Sequence, residues 1–162
     1  MAAVTGSAQD ALFLDRAVGL ATRNVADGGG PFGAVLVRDG AVLATGQNRV
    51  TRDNDPTAHA EVQAIRAACR ALGTFSLAGA TLYSSCEPCP MCMASALWAR
   101  VERVVYAADR DDAARGGFDD RTFYELFDTP RSQWALRVEQ QRDEGSPAPF
   151  DAWLASVGRV DY

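Results

Sequence analysis

The sequence predicts an α/β protein, a three-layer α/β/α sandwich built around a central mixed sheet. Three observations lead there. Segments with helical periodicity alternate with short apolar runs, and an Asp39-Gly40 pair sits between two of those runs. The third is size: 162 residues, 48% of them hydrophobic and 23% charged, make one domain with a real core.

The elements follow in order. Residues 9–25 repeat apolar positions at helical spacing, with Leu12, Ala17, Leu20 and Ala21 on one face, and Gly28-Gly29-Gly30-Pro31 ends that helix. Two strands, residues 34–37 and 41–45, are joined by Asp39-Gly40, a strong hairpin signal. Residues 51–56 read as a polar loop. A helix over residues 58–72 follows, capped from Thr57 or a neighbour and stopped at Gly73. Residues 80–84 read as a buried strand, and a helix opens at Pro90 and runs to residue 99. A strand over 101–107, a break at Gly116-Gly117, a short helix over 121–127 and a last strand over 134–140 come next. A turn at Ser146-Pro147-Ala148-Pro149 precedes a final helix over 150–157. No internal repeat, low-complexity segment or linker divides the chain, so residues 1–162 read as a single domain.

Composition excludes several chemistries. The net charge of −5 argues against a broad nucleic-acid footprint, which needs clustered basic residues to neutralise phosphates. All 16 basic residues are arginines, so a Schiff-base lysine and a P-loop lysine are ruled out. A single histidine, His59, rules out any two-histidine zinc protease. No apolar run has the roughly 20 residues that a membrane helix needs. Asp10 precedes the first apolar stretch and no basic segment does, so the N-terminus does not read as a signal peptide, and a cytoplasmic location is the expectation.

The chemistry concentrates in two segments, Thr57-Ala58-His59-Ala60-Glu61 and Cys86-Glu87-Pro88-Cys89-Pro90-Met91-Cys92. His-x-Glu with Pro-Cys-x-x-Cys is the signature of zinc-dependent deaminases. The spacing has physical reasons. A catalytic zinc takes three protein ligands and keeps one position for water or hydroxide, and His59, Cys89 and Cys92 supply three. Cys89 and Cys92 lie one helical turn apart at a helix start, where unpaired N–H groups favour thiolates. Glu61, two residues beyond His59, faces elsewhere than the ligand and is placed to move protons for the zinc-bound water. Other readings of these residues stand beside this one. Cys86 with the other three completes a closed, four-ligand structural knuckle, or is a buried thiol beside the site; Cys89 and Cys92 make a redox pair. Neither the knuckle nor the redox pair gives Glu61 a role. Cys69 reads as core.

Segments outside the two motifs extend the pattern. Gly30-Pro31-Phe32-Gly33-Ala34-Val35, Asn54-Asp55-Pro56 before His59, and Gly117-Phe118-Asp119-Asp120 bring the chain into resemblance with the cytidine deaminase superfamily, and within it with the bacterial guanine deaminases, over nearly its whole length. That resemblance implies a cytidine deaminase-like fold and one zinc per subunit, bound by His59, Cys89 and Cys92. It implies Glu61 as proton shuttle, and base contacts from Phe32, Asn48, the backbone of Ala60, Trp98, Asp120 and the terminal Tyr162. It implies hydrolysis of guanine to xanthine and ammonia, a small-molecule partner rather than a nucleic acid, and a homodimer in which the segment from about residue 146 to 162 is exchanged. Residues alone give blander readings: Phe32 as a core aromatic, Asn48 as a turn former, Asp120 as the cap of a helix starting at Arg121, Trp98 as core or dimer surface, Tyr162 as a frayed end. Residues 136–146, including Glu139, Asp143 and Glu144, depart most from the family pattern, which leaves cytosine, an aminotriazine or a mixed set of bases as alternative substrates. Transfer-RNA adenosine deaminases share the two zinc segments. A zinc-stabilised interaction module is the non-enzymatic alternative.

Overall fold

The computed structural model describes residues 5–162. Their order is α1 (Thr5–Ala26), β1 (Gly33–Arg38), β2 (Ala41–Gln47), α2 (Val50–Asp53), α3 (Ala60–Leu72), β3 (Thr81–Cys86), α4 (Pro90–Trp98), β4 (Arg103–Ala108), α5 (Arg110–Arg115), α6 (Asp120–Phe127), a 3-10 turn (Arg131–Gln133) and α7 (Ala148–Ala155). The chain divides into two compact units, one up to Tyr124 and one from Glu125 to Tyr162.

The first unit is the sandwich. Its sheet has the order β2-β1-β3-β4; β1 pairs antiparallel with β2 and β3, and β3 pairs parallel with β4. The mixed sheet expected from the sequence is therefore present. Period-two alternation along β1 divides the core between two faces. Ala34 and Leu36, with Leu82 of β3, meet Ala60, Ala64, Ile65 and Ala68 of α3 and Ala96 of α4. Val35 and Val37, with Tyr83, meet Phe13 and Ala17 of α1. Because both faces are covered, β1 is a continuous apolar run, as buried strands are. On α1 the buried residues are Phe13, Ala17, Ala21 and Asn24, spaced by three or four. Leu12, expected on that face, is 63% exposed, and Phe13 packs there instead.

The hairpin forms as expected, with Asp39 and Gly40 both at positive φ (52° and 75°), the two-residue turn whose twist matches its strands. The expected loop over residues 51–56 is partly helical: α2 (Val50–Asp53) makes one turn there, which Asn54 closes in the left-handed region. The helix after it begins at Ala60 and is not capped by Thr57. Thr57 instead donates from N and Oγ1 to Asp55, a local turn that competes with capping. Gly73 ends α3 at φ 64°, as expected. Helix α5 comes in addition to the expected elements and carries a capping box between Asp109 and Asp112.

Gly46 allows β2 to approach the start of α3. A Cβ there would fall on the carbonyl oxygen of Ala60, far inside contact distance. Gly46→Ala is expected to destabilise the protein by about 3 kcal/mol, at the upper end of overpacking, read as a lowered urea midpoint.

In the second unit, residues 134–140 form no strand. The alternation of Trp134, Leu136 and Val138 satisfies one face, but a strand also needs a partner edge, and Leu136 is 66% exposed. Phe127 and Trp134 meet edge to face at 5.2 Å, and Trp153 meets Tyr162 at 6.4 Å.

Candidate metal and active site

The site lies where β3 ends and α3 and α4 begin. His59 is the N-cap of α3 and Cys89 that of α4, both with extended backbone and neither bonding its own helix through its side chain. N-caps favour Ser, Thr, Asp or Asn, which satisfy backbone N–H groups. Here the two side chains turn to each other instead. His59 Nδ1 lies 3.6 Å from Cys89 Sγ and 3.5 Å from Cys92 Sγ, and the three ligand atoms fall within 4.8 Å of one another. Pro90 opens α4 where no N–H bond is required, which carries Cys92 round one turn toward Cys89. Cys89, as the N-cap of α4, sits at the positive end of that helix's dipole, which favours a thiolate.

Glu61, in the first turn of α3, is 5% exposed. Ser84 of β3 donates to its Oε1 at 3.1 Å, and the Cys92 thiol donates to Oε2 at 3.4 Å. Burial raises the Glu61 carboxyl above the usual carboxylate range. The hydrogen bond from Cys92, then the nearby imidazole, holds the Cys89 thiol down to about 4. The Cys92 thiol is pushed up by the same sharing and by burial. His59 is raised by its bond to Cys89.

One imidazole nitrogen and two sulfurs, largely buried, form the donor set that suits a tetrahedral zinc with one position open. Cys86 stays outside the cluster. Its Sγ donates to the Asp109 carbonyl at 3.5 Å, and burial pushes its thiol up to about 12. That is the behaviour of a buried neutral thiol, and it removes the fourth ligand of a closed knuckle.

Above the cluster opens a cavity of about 460 Å³ whose lining includes His59, Glu61, Cys89, Phe32, Asn48 and Asp120. The volume falls in the range of small-ligand sites. Asn48 is buried and its Oδ1 accepts from Val50 N at 3.2 Å, so its amide is held as it faces the cavity. Asp120 is the first residue of α6 rather than the cap before it, and burial raises its carboxyl.

Comparison with known proteins agrees with this chemistry. Residues 7–108 match the cytidine and deoxycytidylate deaminase zinc-binding region. The guanine deaminase of Bacillus subtilis is 50% identical over 93% of this chain and 97% of its own length. The chain belongs to the guanine deaminase family. A crystal structure of guanine deaminase from Bacillus subtilis superposes with a TM-score of 0.90 at 50% identity, covering 93% of this chain and 97% of that one. The tRNA-specific adenosine deaminase of Bacillus subtilis is 44% identical, over 62% of each chain. The family's fold is the cytidine deaminase-like sandwich described above, and its metal is zinc.

In this guanine deaminase-family chain the cavity gathers six of the ten residues singled out from sequence or stands directly on them: Phe32, Asn48, His59, Glu61, Cys89 and Asp120. Cys92 lies beneath, fully buried. Ala60 is also fully buried, with its carbonyl against Gly46. Trp98 ends α4, 61% exposed and outside the cavity lining, and Tyr162 belongs to the second unit. Sequence reasoning missed three groups. Phe118 lines the cavity and meets Phe32 edge to face at 4.8 Å; it lies two residues before Asp120 in a segment already marked. Ser84 holds Glu61, with no motif to announce it. Asn24 on α1 donates from Nδ2 to the carbonyls of Gly30 and Asn48, both at 2.8 Å, and so joins two walls of the cavity.

Proposed function

We propose that this chain hydrolyses guanine to xanthine and ammonia, with His59, Cys89 and Cys92 holding one zinc per subunit. The observation that carries the reading is a buried carboxyl, Glu61, set beside a three-ligand donor cluster on the floor of a cavity sized for a nucleobase. It is a hydrolase acting on a C–N bond of a cyclic amidine, in keeping with its family.

Held by His59, Cys89 and Cys92, zinc would supply a bound water whose pKa is lowered toward roughly 7. The remaining work falls to side chains. Glu61, raised by burial and steadied by Ser84, takes one proton from the water as its oxygen adds to the amino-bearing carbon and gives that proton to a ring nitrogen. It then carries the second proton, from the added hydroxyl, to the amine, which leaves as ammonia when the C–N bond breaks. Asn48 and Asp120 read the edge of the ring through hydrogen bonds, and Phe32, braced by Phe118, offers an aromatic wall. The backbone of Ala60, Trp98 and a partner-derived Tyr162 complete the base contacts in this reading.

The subunit is read as one half of a homodimer with exchanged C-terminal segments. Residues 125–162 leave Leu136, Phe150, Leu154 and Tyr162 each more than three-fifths exposed in the single chain, more apolar surface than an isolated segment keeps in water. A cytoplasmic setting fits four free cysteines. Among the described residues no helix is long and apolar enough to cross a membrane. The transfer-RNA reading is less well supported, since that relative is matched over a shorter share of both chains.

The test is the conversion of guanine to xanthine, followed in the ultraviolet. Asn48→Ala is expected to raise KM about 10-fold, the worth of roughly one hydrogen bond. No xanthine from the zinc-loaded parent would overturn the assignment.

A further inference from the structure

We propose that Arg110 and Tyr124 are positioning residues: with Glu87 they clasp the loop that carries Cys89 to the helix that carries Asp120. The metal ligands and the substrate-reading carboxylate are thereby held in one fixed relation. This rests on the zinc and guanine reading above.

The clasp closes on itself. Glu87 and Pro88 are the two residues before Cys89. The Glu87 carboxylate accepts from Arg110 at three points, the backbone N at 3.1 Å, Nε at 3.0 Å, and Nη2. The Arg110 guanidinium lies 3.8 Å over the centre of the Tyr124 ring. Tyr124 in turn donates its hydroxyl to the Pro88 carbonyl at 2.6 Å. A second tie holds the base of the loop, from Glu87 N to the Ala108 carbonyl at 2.8 Å.

An exposed ion pair contributes little, because water screens it and two side chains lose freedom. This pair is different in kind. The Glu87 side chain is 12% exposed, the guanidinium meets it as a two-pronged fork, and an aromatic face covers that fork from the other side. Tyr124 lies one helical turn after Asp120 on α6, so the bond that holds Tyr124 to Pro88 also sets where Asp120 enters the cavity. Groups that orient ligands typically change metal affinity or activity by about 10- to 100-fold when removed.

The test uses Arg110→Lys, which keeps the charge and loses the fork, and Tyr124→Phe, which keeps the ring under Arg110 and loses the hydroxyl. In the zinc-loaded full-length protein, transfer of zinc to a competing chelator is expected to quicken about 10-fold for Arg110→Lys and less for Tyr124→Phe. The guanine KM is expected to rise in both by more than kcat falls. Variants that lose thermal stability while zinc release and KM stay at parental values would overturn the proposal, because that is the outcome of packing alone. Should Arg110→Lys fail to fold, Tyr124→Phe, which changes no packing, decides by the same two readouts. If the parent does not deaminate guanine, the substrate reading fails, and the zinc-release measurement still decides the clasp.

Discussion

Glu61→Ala is expected to bind zinc at the parental stoichiometry and to lower kcat by at least about 10³-fold. The size follows from where the carboxyl sits. It is buried, it faces the ligand cluster without belonging to it, and Ser84 fixes one oxygen while the other points toward Cys92. No other acidic side chain that lines the cavity has this position. Glu87 is occupied by Arg110, and Asp120 enters from α6. A substitute proton carrier is therefore not at hand. Stability should change little or improve, since removing a buried ionisable group also removes its cost of burial. Metal analysis beside single-turnover kinetics checks both halves, and a variant that keeps parental turnover would remove Glu61 from the mechanism.

Cys92→Ala is expected to purify without zinc, to be inactive, and to lose about 3 kcal/mol of stability, as the loss of a metal site combined with a buried cavity does. Cys92 is fully buried beneath the cluster and lies 3.5 Å from His59 Nδ1. Without it, one imidazole and one thiol remain, too few to hold a tetrahedral ion. Cys86→Ala is the matched comparison. Its thiol bonds the Asp109 carbonyl and takes no part in the cluster, so that variant should retain zinc and turnover. Zinc loss from Cys86→Ala, measured in the same way, would return the closed four-ligand knuckle to favour.

The metal residues were legible because coordination imposes spacing on sequence. Two thiols that meet one ion from a helix start sit about one turn apart, three residues here, and a carboxyl kept off the metal lies off the ligand's face. The hairpin was legible because Asp39-Gly40 has a local conformational meaning. What escaped depends on distant partners. Ser84 and Asn24 act through bonds to residues 23, 6 and 24 positions away, and nothing in their neighbourhoods marks them. Thr57 looked like a cap by residue type, yet the position belongs to His59, whose side chain serves the cluster at the expense of its own helix. The strand expected over 134–140 had the right alternation, but alternation says nothing of an edge to pair with.

The most direct test of the whole account is ammonia release by the purified, zinc-loaded protein offered guanine, cytosine, an aminotriazine and adenosine in an anticodon stem, each alone. Release with guanine that exceeds the others is the result expected from a cavity bounded by Phe32, Asn48 and Asp120 above the His59 cluster. Release from cytosine or the triazine in its place would keep the chemistry of Glu61 and contradict the substrate. Release from none of them, with zinc bound and the chain folded, would contradict the account at its centre.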